Sequence, residues 1–391
     1  MPKRLNGRAR GQGVPLRLTP LYSYHAAHAK LTEFAGYLMP LYYESILAEH
    51  MAVRERCGLF DVSHMARFLI EGPDAASFLD GLVPSDLSSL QPGRAAYTLL
   101  LNEAAGILDD VIIMRLEEER YLLVGNAVNR EKDASWLRAR RGAARVSVAD
   151  ITEASAMVAL QGPLAAGLLA QLFPSAPGLR RFGLLQARFE GQVAIISRTG
   201  YTGEDGFEVV LLDVMLHRPD PALALWQRLL ELGARPCGLG ARDSLRLEAG
   251  YCLYGQDINE DTNPLEAGLE RLVNLEKGEF VGRAALSSAK IREKRVGLLL
   301  LEPGVPRAGQ QLARDSAIVG RITSGGYSPI LRRGIALGYV APELAQENLE
   351  LLVVAEGRSR RALIRRPPFY DQSLYGYRRG ARERGQAWSA S

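Results

Sequence analysis

The sequence predicts an α+β core that extends to about residue 270 and is followed by a small all-β domain. In the first part, short apolar runs rich in β-branched residues alternate with amphipathic helical patterns. Beyond Gly282 short apolar runs are separated by Gly, Pro and Ser turns, which is the pattern of a small antiparallel barrel or sandwich. The 391 residues, 47% of them hydrophobic, allow two or three domains with a large core.

The elements of the core follow from periodicity. An amphipathic helix is expected over residues 41–57, because one stripe recurs at helical spacing and Gly58 follows as a stop. That stripe consists of Ile46, His50, Val53 and Cys57. Further helices are expected over 73–82, 130–141 and 163–173. The strands expected in the core are 66–71, 96–101, 110–116, 121–124 and 156–161, and those expected in the second part are 296–301, 317–323, 335–340 and 349–354.

The segment 198–208 has the composition of a ligand-binding turn. It holds three glycines, three acids and a tyrosine between the strand-like runs 193–197 and 207–211. Its spacing fits neither a dinucleotide fingerprint nor a Walker phosphate loop, and its carboxylates would repel phosphate. Glu208 can instead accept two parallel N–H bonds from an amino-substituted heterocycle such as a pterin. A solvated hairpin is the alternative.

Two adjacent aspartates begin a predicted strand. Asp109 and Asp110 must point to opposite faces. Asp110 is in phase with apolar Ile112 and Met114, whereas Asp109 is in phase with Arg115 and can pair or reach water. Buried carboxyl groups are costly and over-represented in active sites, so we expect Asp110 to be the costlier residue and the catalytic acid/base. A structural role for both aspartates, in capping and hydrogen bonding, is the alternative.

A predicted helix over residues 241–250 carries Arg242 and Arg246 four positions apart on one face. Like charges at this spacing repel each other. The arrangement therefore requires a nearby anion, such as Asp243, Glu208 or a carboxylate-bearing ligand, to which guanidinium can pair in a bidentate manner. A surface ion-pair network is the competing explanation.

The composition argues against several classes of protein. The net charge of +4 comes mostly from arginines near the two ends, which we expect to be flexible, and nothing resembles an aromatic-interleaved nucleic-acid groove. The sequence shows no secretory signal and no apolar run that could span a membrane, so we expect a cytoplasmic protein. The three cysteines and five histidines lack ligand spacing, which predicts no metal site. His64 is expected to be a packed histidine rather than a base.

Several long motifs resemble the aminomethyltransferase family, the T-protein of the glycine cleavage system. The resemblance runs nearly end to end, from residue 19 to about residue 370. The matching motifs are 60–65, 102–110, 125–127, 159–163, 198–208, 241–250, 254–258, 264–268 and 323–329.

This resemblance implies a three-domain cloverleaf around a central folate cavity. Two interleaved α/β folate-binding domains would occupy residues 20–275 and a C-terminal antiparallel β-barrel residues 276–370, with flexible segments at 1–19 and 371–391. The implied reaction transfers a methylene unit from an aminomethyl group on a lipoylated carrier protein (H-protein) to tetrahydrofolate and releases ammonia. Tetrahydrofolate is then a co-substrate, and the carrier docks transiently.

The resemblance also implies roles for individual residues. Asp110 matches the catalytic aspartate near the folate amine nitrogens, and Glu208 would hold the pterin edge. Arg242 matches a binding arginine, and Tyr370 matches the C-terminal closing segment. The remaining matches to the cavity wall are Met65, Tyr97, Val124, Asn126 and Tyr201.

The chain departs from the family pattern in two places. The family often has tryptophan at the position of Tyr37 and an aromatic residue at Glu270-Arg271, where Arg271 could change the cavity wall. A folate-dependent demethylase of a small methylated donor is a second hypothesis. A non-catalytic folate-binding protein of iron–sulfur maintenance is a third, but residues 277–283 lack the cysteine of that branch's Lys-Gly-Cys-x-x-Gly-Gln signature.

Overall fold

The computed structural model of the chain describes residues 15–355 and 358–379. Its strands are β1 (Lys30–Phe34), β2 (Tyr37–Tyr42), β3 (Gly58–Asp61), β4 (Ala66–Glu71), β5 (Arg94–Leu101), β6 (Ile107–Glu117), β7 (Arg120–Gly125), β8 (Ser147–Asp150), β9 (Ser155–Gln161), β10 (Leu184–Phe189), β11 (Gln192–Ser197), β12 (Gly206–Leu212), β13 (Arg235–Cys237), β14 (Lys294–Leu300), β15 (Gln311–Arg314), β16 (Ala317–Ser328), β17 (Arg333–Val340), β18 (Glu350–Ala355) and β19 (Arg358–Arg365). Its helices are α1 (Tyr22–His28), α2 (Ile46–Glu55), α3 (Ala75–Leu82), α4 (Arg130–Arg140), α5 (Ala165–Ala170), α6 (Asp220–Glu231), α7 (Leu239–Ala249) and α8 (Arg283–Ser287).

Two mixed α/β units share the first part of the chain. One sheet has the spatial order β10-β11-β12-β9-β3-β13 and the other the order β5-β6-β7-β4-β8. The first sheet takes strands from before and after the second, so the two units are interleaved, as the sequence analysis expected. Neighbouring strands are antiparallel except β13, which pairs in parallel with β3.

Each sheet buries one face against helices and the other toward its partner sheet. Alternate residues of β6 illustrate this two-residue period: Val111 and Ile113 join the apolar cluster under α3 and α4. Met114 joins a different cluster, between the sheets, which also contains Leu245 of α7. Burying each such side chain stabilises the fold by roughly 1.5–3 kcal/mol before entropy is counted.

The last part of the chain is a closed barrel, which settles the choice between barrel and sandwich. Its strands follow the order β14-β17-β16-β15-β18-β19, and all pair in antiparallel fashion. Inward residues such as Leu298, Ile322 and Leu351 fill its interior. The fold prediction of an α+β cloverleaf with a C-terminal β-barrel is confirmed.

One predicted helix is wrong in extent. Residues 41 and 42 belong to β2, and α2 starts only after Ser45, whose hydroxyl accepts the Ala48 N–H at 3.1 Å. Ile46, predicted to face the core, is 40% exposed. Gly58 does not end the helix but lies in β3, where a Cβ would come within 2.3 Å of Val53.

The ends of the chain are only partly described. Residues 1–14 and 380–391, which the prediction of flexible ends covers, lie outside the described residues. Arg17 contacts Glu131 at 3.0 Å, and Arg379 contacts Glu204 at 3.1 Å. The domain boundaries at residues 19, 275 and 370 stay predictions.

Candidate active site

The paired aspartates lie near the start of β6, the second strand of the five-stranded sheet. Asp110 projects to the side of β6 that faces the other sheet, and Asp109 projects to the side covered by α4, as the two-residue period predicts. The predicted order of burial is wrong, however. Asp109 is completely buried, whereas Asp110 keeps part of its solvent-accessible surface. The reason is that α4 closes over the face of Asp109, while the face of Asp110 opens between the sheets.

One amide joins the two carboxylates. The Asn126 side chain donates to Oδ1 of Asp109 and to Oδ1 of Asp110, both at 2.8 Å. Asp109 also accepts the Asn126 backbone N–H at 2.9 Å and the Asn129 amide at 2.6 Å. Asn126 thereby fixes the position of Asp110 relative to the buried Asp109.

A third carboxyl group, Asp133 of α4, approaches Asp109 from the other side. A Cβ added to Gly125 would lie 2.8 Å from Oδ2 of Asp109 and 3.1 Å from Oδ2 of Asp133, so both oxygens crowd the same glycine. Burial, followed by the charge of Asp109, raises the pKa of Asp133 far above its usual range. Burial also raises the pKa of Asp109, and the hydrogen bonds that it accepts from Asn126 and Asn129 offset part of this rise.

The pKa of Asp110 is placed near neutrality by opposing effects. Burial is the largest effect, and with the negative charge of Asp109 it raises this pKa to about 7. Hydrogen bonds from the Tyr97 hydroxyl, 3.0 Å away, and from Asn126 favour the ionised form and limit the rise. A carboxyl group with this pKa can both accept and release a proton at pH 7.

The opposite wall is formed by the 198–208 turn and α7. The Arg242 guanidinium lies over the Tyr201 ring, 4.7 Å from its centroid, and the Tyr201 hydroxyl donates to the Cys252 carbonyl. Glu208 is 6% exposed and accepts the Thr199 hydroxyl. Burial raises the pKa of Glu208, and the positive charge of Arg242 partly offsets this rise.

The two arginines of α7 have different partners. Arg246 pairs with Asp243 at 2.8 Å and with Asp257 at 2.6 Å, so its charge is compensated inside the protein. Within the part of the chain that the structure describes, no carboxylate lies within 4.0 Å of the Arg242 guanidinium. Burial lowers the pKa of Arg242. A desolvated cation of this kind is suited to an anionic ligand.

We infer from their exposure that these residues line an internal chamber between the sheets and α7, in which Tyr97 and Asp110 both interact with Tyr201. Met65, Tyr97, Asp110, Asn126, Tyr201 and Arg242 all keep intermediate exposure. Desolvation nevertheless has the largest effect on the pKa of Tyr97 and Asp110. Side-chain surface that solvent can reach, but that is surrounded by protein on most sides, belongs to an enclosed space rather than to the exterior of the molecule. Val124, which packs with Met65, and Glu208 are almost fully buried in the chamber wall.

Eight of the nine predicted site residues are thus brought together, and the ninth, Tyr370, contacts the 198–208 turn from the C-terminal segment. The Tyr370 ring lies under the Arg54 guanidinium at 4.4 Å, and its hydroxyl donates to the Gly203 carbonyl at 3.3 Å. Tyr370 therefore fastens the C-terminal segment to the turn that carries Tyr201 and Glu208, and it also borders a second cavity.

Sequence reasoning missed Asn129 and Asp133. The available signal was that Asp133 lies one helical turn before Leu137 on the buried stripe of α4, where an acid requires a partner. His64, expected to be packed, is 1% exposed and lies edge-on to Phe34 at 5.6 Å. Burial lowers its pKa to about 3, so it is neutral.

Two findings concern the expectations about metal binding and membrane spans. Within residues 15–355 and 358–379, no cluster of three or more His, Cys, Asp or Glu side chains has the geometry to hold a metal ion. None of the described helices is both long enough and apolar enough to cross a membrane.

Comparisons with known proteins match nearly the whole chain. A model of the GCVT N-terminal domain matches residues 21–277, and a model of the glycine cleavage T-protein C-terminal barrel domain matches residues 293–371. An aminomethyltransferase of Thermus thermophilus is 47% identical over 327 residues, which is 83% of this chain and 91% of the relative. That of Rubrobacter xylanophilus is 48% identical over 345 residues, or 86% and 90% of the two chains.

A solved structure supports the same comparison. The glycine cleavage system aminomethyltransferase T from Bartonella henselae is 37% identical and superposes with a TM-score of 0.85. The match covers 93% of this chain and 99% of that one. Both domains of the present fold are therefore found together in a known structure.

Proposed function

The chain belongs to the glycine cleavage T-protein family and is an aminomethyltransferase, and from this premise we propose that the chamber around Asp110 is its reaction site. There a methylene unit passes from the aminomethyl group of a lipoylated carrier protein to tetrahydrofolate, with release of ammonia. The observation that carries this assignment is the carboxyl group of Asp110, which is fixed by Asn126 and Tyr97 inside a desolvated chamber and has its pKa raised to about 7.

Tetrahydrofolate, the substrate used by this family, supplies groups that the chamber can recognise. The amino-substituted edge of its pterin is complementary to the carboxylate of Glu208, which lies in the wall with one oxygen held by Thr199. Its carboxylate-bearing tail is complementary to Arg242, whose charge has no partner within 4.0 Å among the described residues. The ring of Tyr201 lies beside Arg242 and offers a flat surface for stacking.

The proposed reaction conserves atoms and protons. The aminomethyl carbon loses its bonds to the lipoyl sulfur and to nitrogen and gains bonds to N5 and N10 of tetrahydrofolate. The hydrogens that leave N5 and N10 end on the sulfur and on the departing ammonia. We assign Asp110 to transfer one of these protons and to steer the amine nitrogens toward the methylene carbon, because its pKa matches a proton exchange near neutrality.

The remaining residues position this carboxyl group. Asn126 holds Oδ1 of Asp110, and burial together with the negative charge of Asp109 on the other side of the amide raises the pKa of Asp110. Holding the lipoyl arm and folate together in one closed space removes most of the entropic cost of their encounter, worth up to about 7–11 kcal/mol in intramolecular models. The lipoylated carrier (H-protein) docks transiently, and a cytoplasmic location stays a prediction from the sequence.

A coupled assay tests this function. Ammonia release and methylenetetrahydrofolate formation are measured from an aminomethylated lipoyl carrier, with and without tetrahydrofolate. We expect both products in equal amounts and a strong dependence on tetrahydrofolate. A protein that is inactive with the carrier but demethylates a small methylated amine would refute the proposal in favour of the demethylase alternative, which none of the comparisons favours.

A further inference from the structure

Asp133 is a buried carboxyl group to which the reaction proposed above gives no role. It lies on α4, faces Asp109 and is 1% exposed. Among residues 15–355 and 358–379, no N–H or hydroxyl group donates to Oδ2 of Asp133, although this atom is shielded from water. A buried carboxylate oxygen without a donor is costly, and the cost is removed when the carboxyl group holds a proton.

The partner of Asp133 is the equally buried Asp109. Their side chains are joined by a hydrogen bond, and a Cβ on Gly125 would lie 2.8 Å from Oδ2 of Asp109 and 3.1 Å from Oδ2 of Asp133. Two carboxyl oxygens can bond only through a proton that one of them carries. In the described part of the chain, no Lys, Arg or His nitrogen lies within 4.0 Å of either group to offset a second negative charge. The pair therefore holds one proton and one negative charge.

Asn126 connects this pair to Asp110. Oδ1 of Asp109 accepts the Asn129 amide at 2.6 Å and the Asn126 amide at 2.8 Å, and the same Asn126 nitrogen donates to Oδ1 of Asp110 at 2.8 Å. The amide nitrogen has two hydrogens, so it serves both carboxyl groups at once as long as both oxygens accept. The state of Asp109 thus acts on Asp110 through its charge and through the orientation of this amide.

The other titratable groups around these carboxyl groups are paired or neutral. Lys132 donates to the Tyr254 hydroxyl and to Glu260, each at 2.8 Å. After burial, which raises the pKa of Asp133 most, the charge of Asp109 raises it more than the charge of Lys132 lowers it. Burial raises the pKa of the neighbouring tyrosines and cysteine, which are therefore neutral at pH 7, namely Tyr97, Tyr201, Cys252 and Tyr254. The Asp109–Asp133 pair therefore sets the charge on this side of the sheet.

We propose that Asp133 is a positioning residue for Asp110, because it shares a single proton with Asp109 and so keeps one negative charge and one acceptor on the far side of Asn126. The link to turnover rests on the proposed function, whereas the shared proton is observable without turnover.

Two substitutions separate the donor from the charge. Asp133→Asn keeps a donor for Asp109, and Asp133→Leu has a similar volume but no donor. In Asp133→Leu the proton passes to Asp109 itself, because the largest effect that favours its ionised form is the bond from Asp133. The negative charge next to Asn126 is then lost, and Asp110 ionises at lower pH.

The test uses the full chain with isotope-labelled aspartate carboxyl carbons and follows the titration of Asp110 by NMR. Its signal is identified by its absence in Asp110→Asn. We expect Asp133→Leu to lower the titration midpoint of Asp110 by about one pH unit, and Asp133→Asn to leave it within about 0.3 units. Asp74→Asn is the matched control, because Asp74 pairs with Arg145 at the surface, and it should leave the midpoint unchanged.

Two results of this titration would overturn the proposal. Equal downward shifts in Asp133→Asn and Asp133→Leu would show that Asp133 carries a negative charge of its own. An unshifted midpoint in both variants would show that Asp133 does not act on Asp110.

Infrared difference spectra keep the proposal testable even if Asp133→Leu does not fold. At about pH 9, where Asp110 is ionised, the parent should show the carbonyl stretch of a protonated carboxyl group. This band should be absent from Asp133→Asn and present in Asp74→Asn. A parent without the band, or an Asp133→Asn variant that retains it, would overturn the shared proton.

Turnover separates this inference from the function on which it rests. In Asp133→Leu the acidic limb of kcat/KM should move to lower pH together with the midpoint of Asp110. A limb that stays in place while the midpoint moves would overturn the role of Asp133 in the reaction. An inactive parent would sink the proposed function, and the NMR and infrared results would still decide whether the proton is shared.

Discussion

The hydrogen bond from Tyr97 to Asp110 leads to a quantitative prediction about pH dependence. The Tyr97 hydroxyl donates to Oδ2 of Asp110 at 3.0 Å and lowers the pKa of that carboxyl group, because a donor stabilises the ionised form. The substitution Tyr97→Phe keeps the ring and removes this donor. The pKa of Asp110 must then rise from its value of about 7.

The size of the rise follows from the strength of the lost bond. A hydrogen bond to a charged group contributes about 1.5–3 kcal/mol, which corresponds to roughly 1–2 pKa units. At pH 7 the ionised fraction of Asp110 would fall from about one half to between about 1% and 10%. If the carboxylate acts as the base, kcat/KM at pH 7 should drop by roughly 5- to 50-fold and recover near pH 9.

The assay is the dependence of kcat/KM on pH, which reports groups of the free enzyme. A matched control is Tyr339→Phe, since the Tyr339 hydroxyl is also buried but donates to the Asp257 carbonyl near the barrel. This control should lower stability by about 1 kcal/mol and leave the pH profile in place. An acidic limb in Tyr97→Phe that is unshifted, or shifted to lower pH, would refute the reasoning.

Three further predictions concern the chamber. Replacing Glu208 by Gln should weaken tetrahydrofolate binding by roughly 10- to 100-fold in calorimetry, because a charge-assisted acceptor is lost; equal affinity would exclude Glu208 from pterin recognition. Arg242→Gln should weaken folate binding and reduce its dependence on salt, and an unchanged salt dependence would show that no ligand carboxylate pairs with it. Gly125→Ala should lower the free energy of unfolding in urea by at least about 2 kcal/mol, because its Cβ would lie within 2.8 Å of Asp109. The control Gly167→Ala in α5, whose Cβ would meet nothing within 4 Å, should be neutral or slightly stabilising. Equal effects of the two substitutions on the free energy of unfolding would argue against crowding at Gly125.

Local rules predicted the parts of the site that depend on one element. The strand 66–71 was predicted with the bounds that β4 has. The opposite directions of Asp109 and Asp110 follow from the two-residue period of any strand. Gly250 ends α7 with a positive φ of 79°, a conformation that glycine adopts without steric cost.

Other parts depend on contacts between distant segments, which periodicity does not encode. Whether Asp109 or Asp110 is the more deeply buried is decided by α4 covering one face of β6, and α4 begins 20 positions beyond Asp110. The role of Asp133 appears only when that helix packs on the sheet. Likewise, Arg181 and Tyr251 meet Tyr377 only because the C-terminal segment folds back over the 198–208 turn, as the bond from the Tyr377 N–H to the Gly203 carbonyl shows.

The most direct test of whether the reaction takes place at Asp110 is a single-turnover experiment with the Asp110→Asn variant. It measures the rate at which ammonia is released from the aminomethylated carrier. Asparagine preserves the shape of the side chain and removes its ability to exchange a proton. We predict a rate about 10²- to 10⁴-fold below that of the parent, with tetrahydrofolate still bound within a few-fold of the parent affinity. Ammonia release from Asp110→Asn at the parental rate would contradict the assignment.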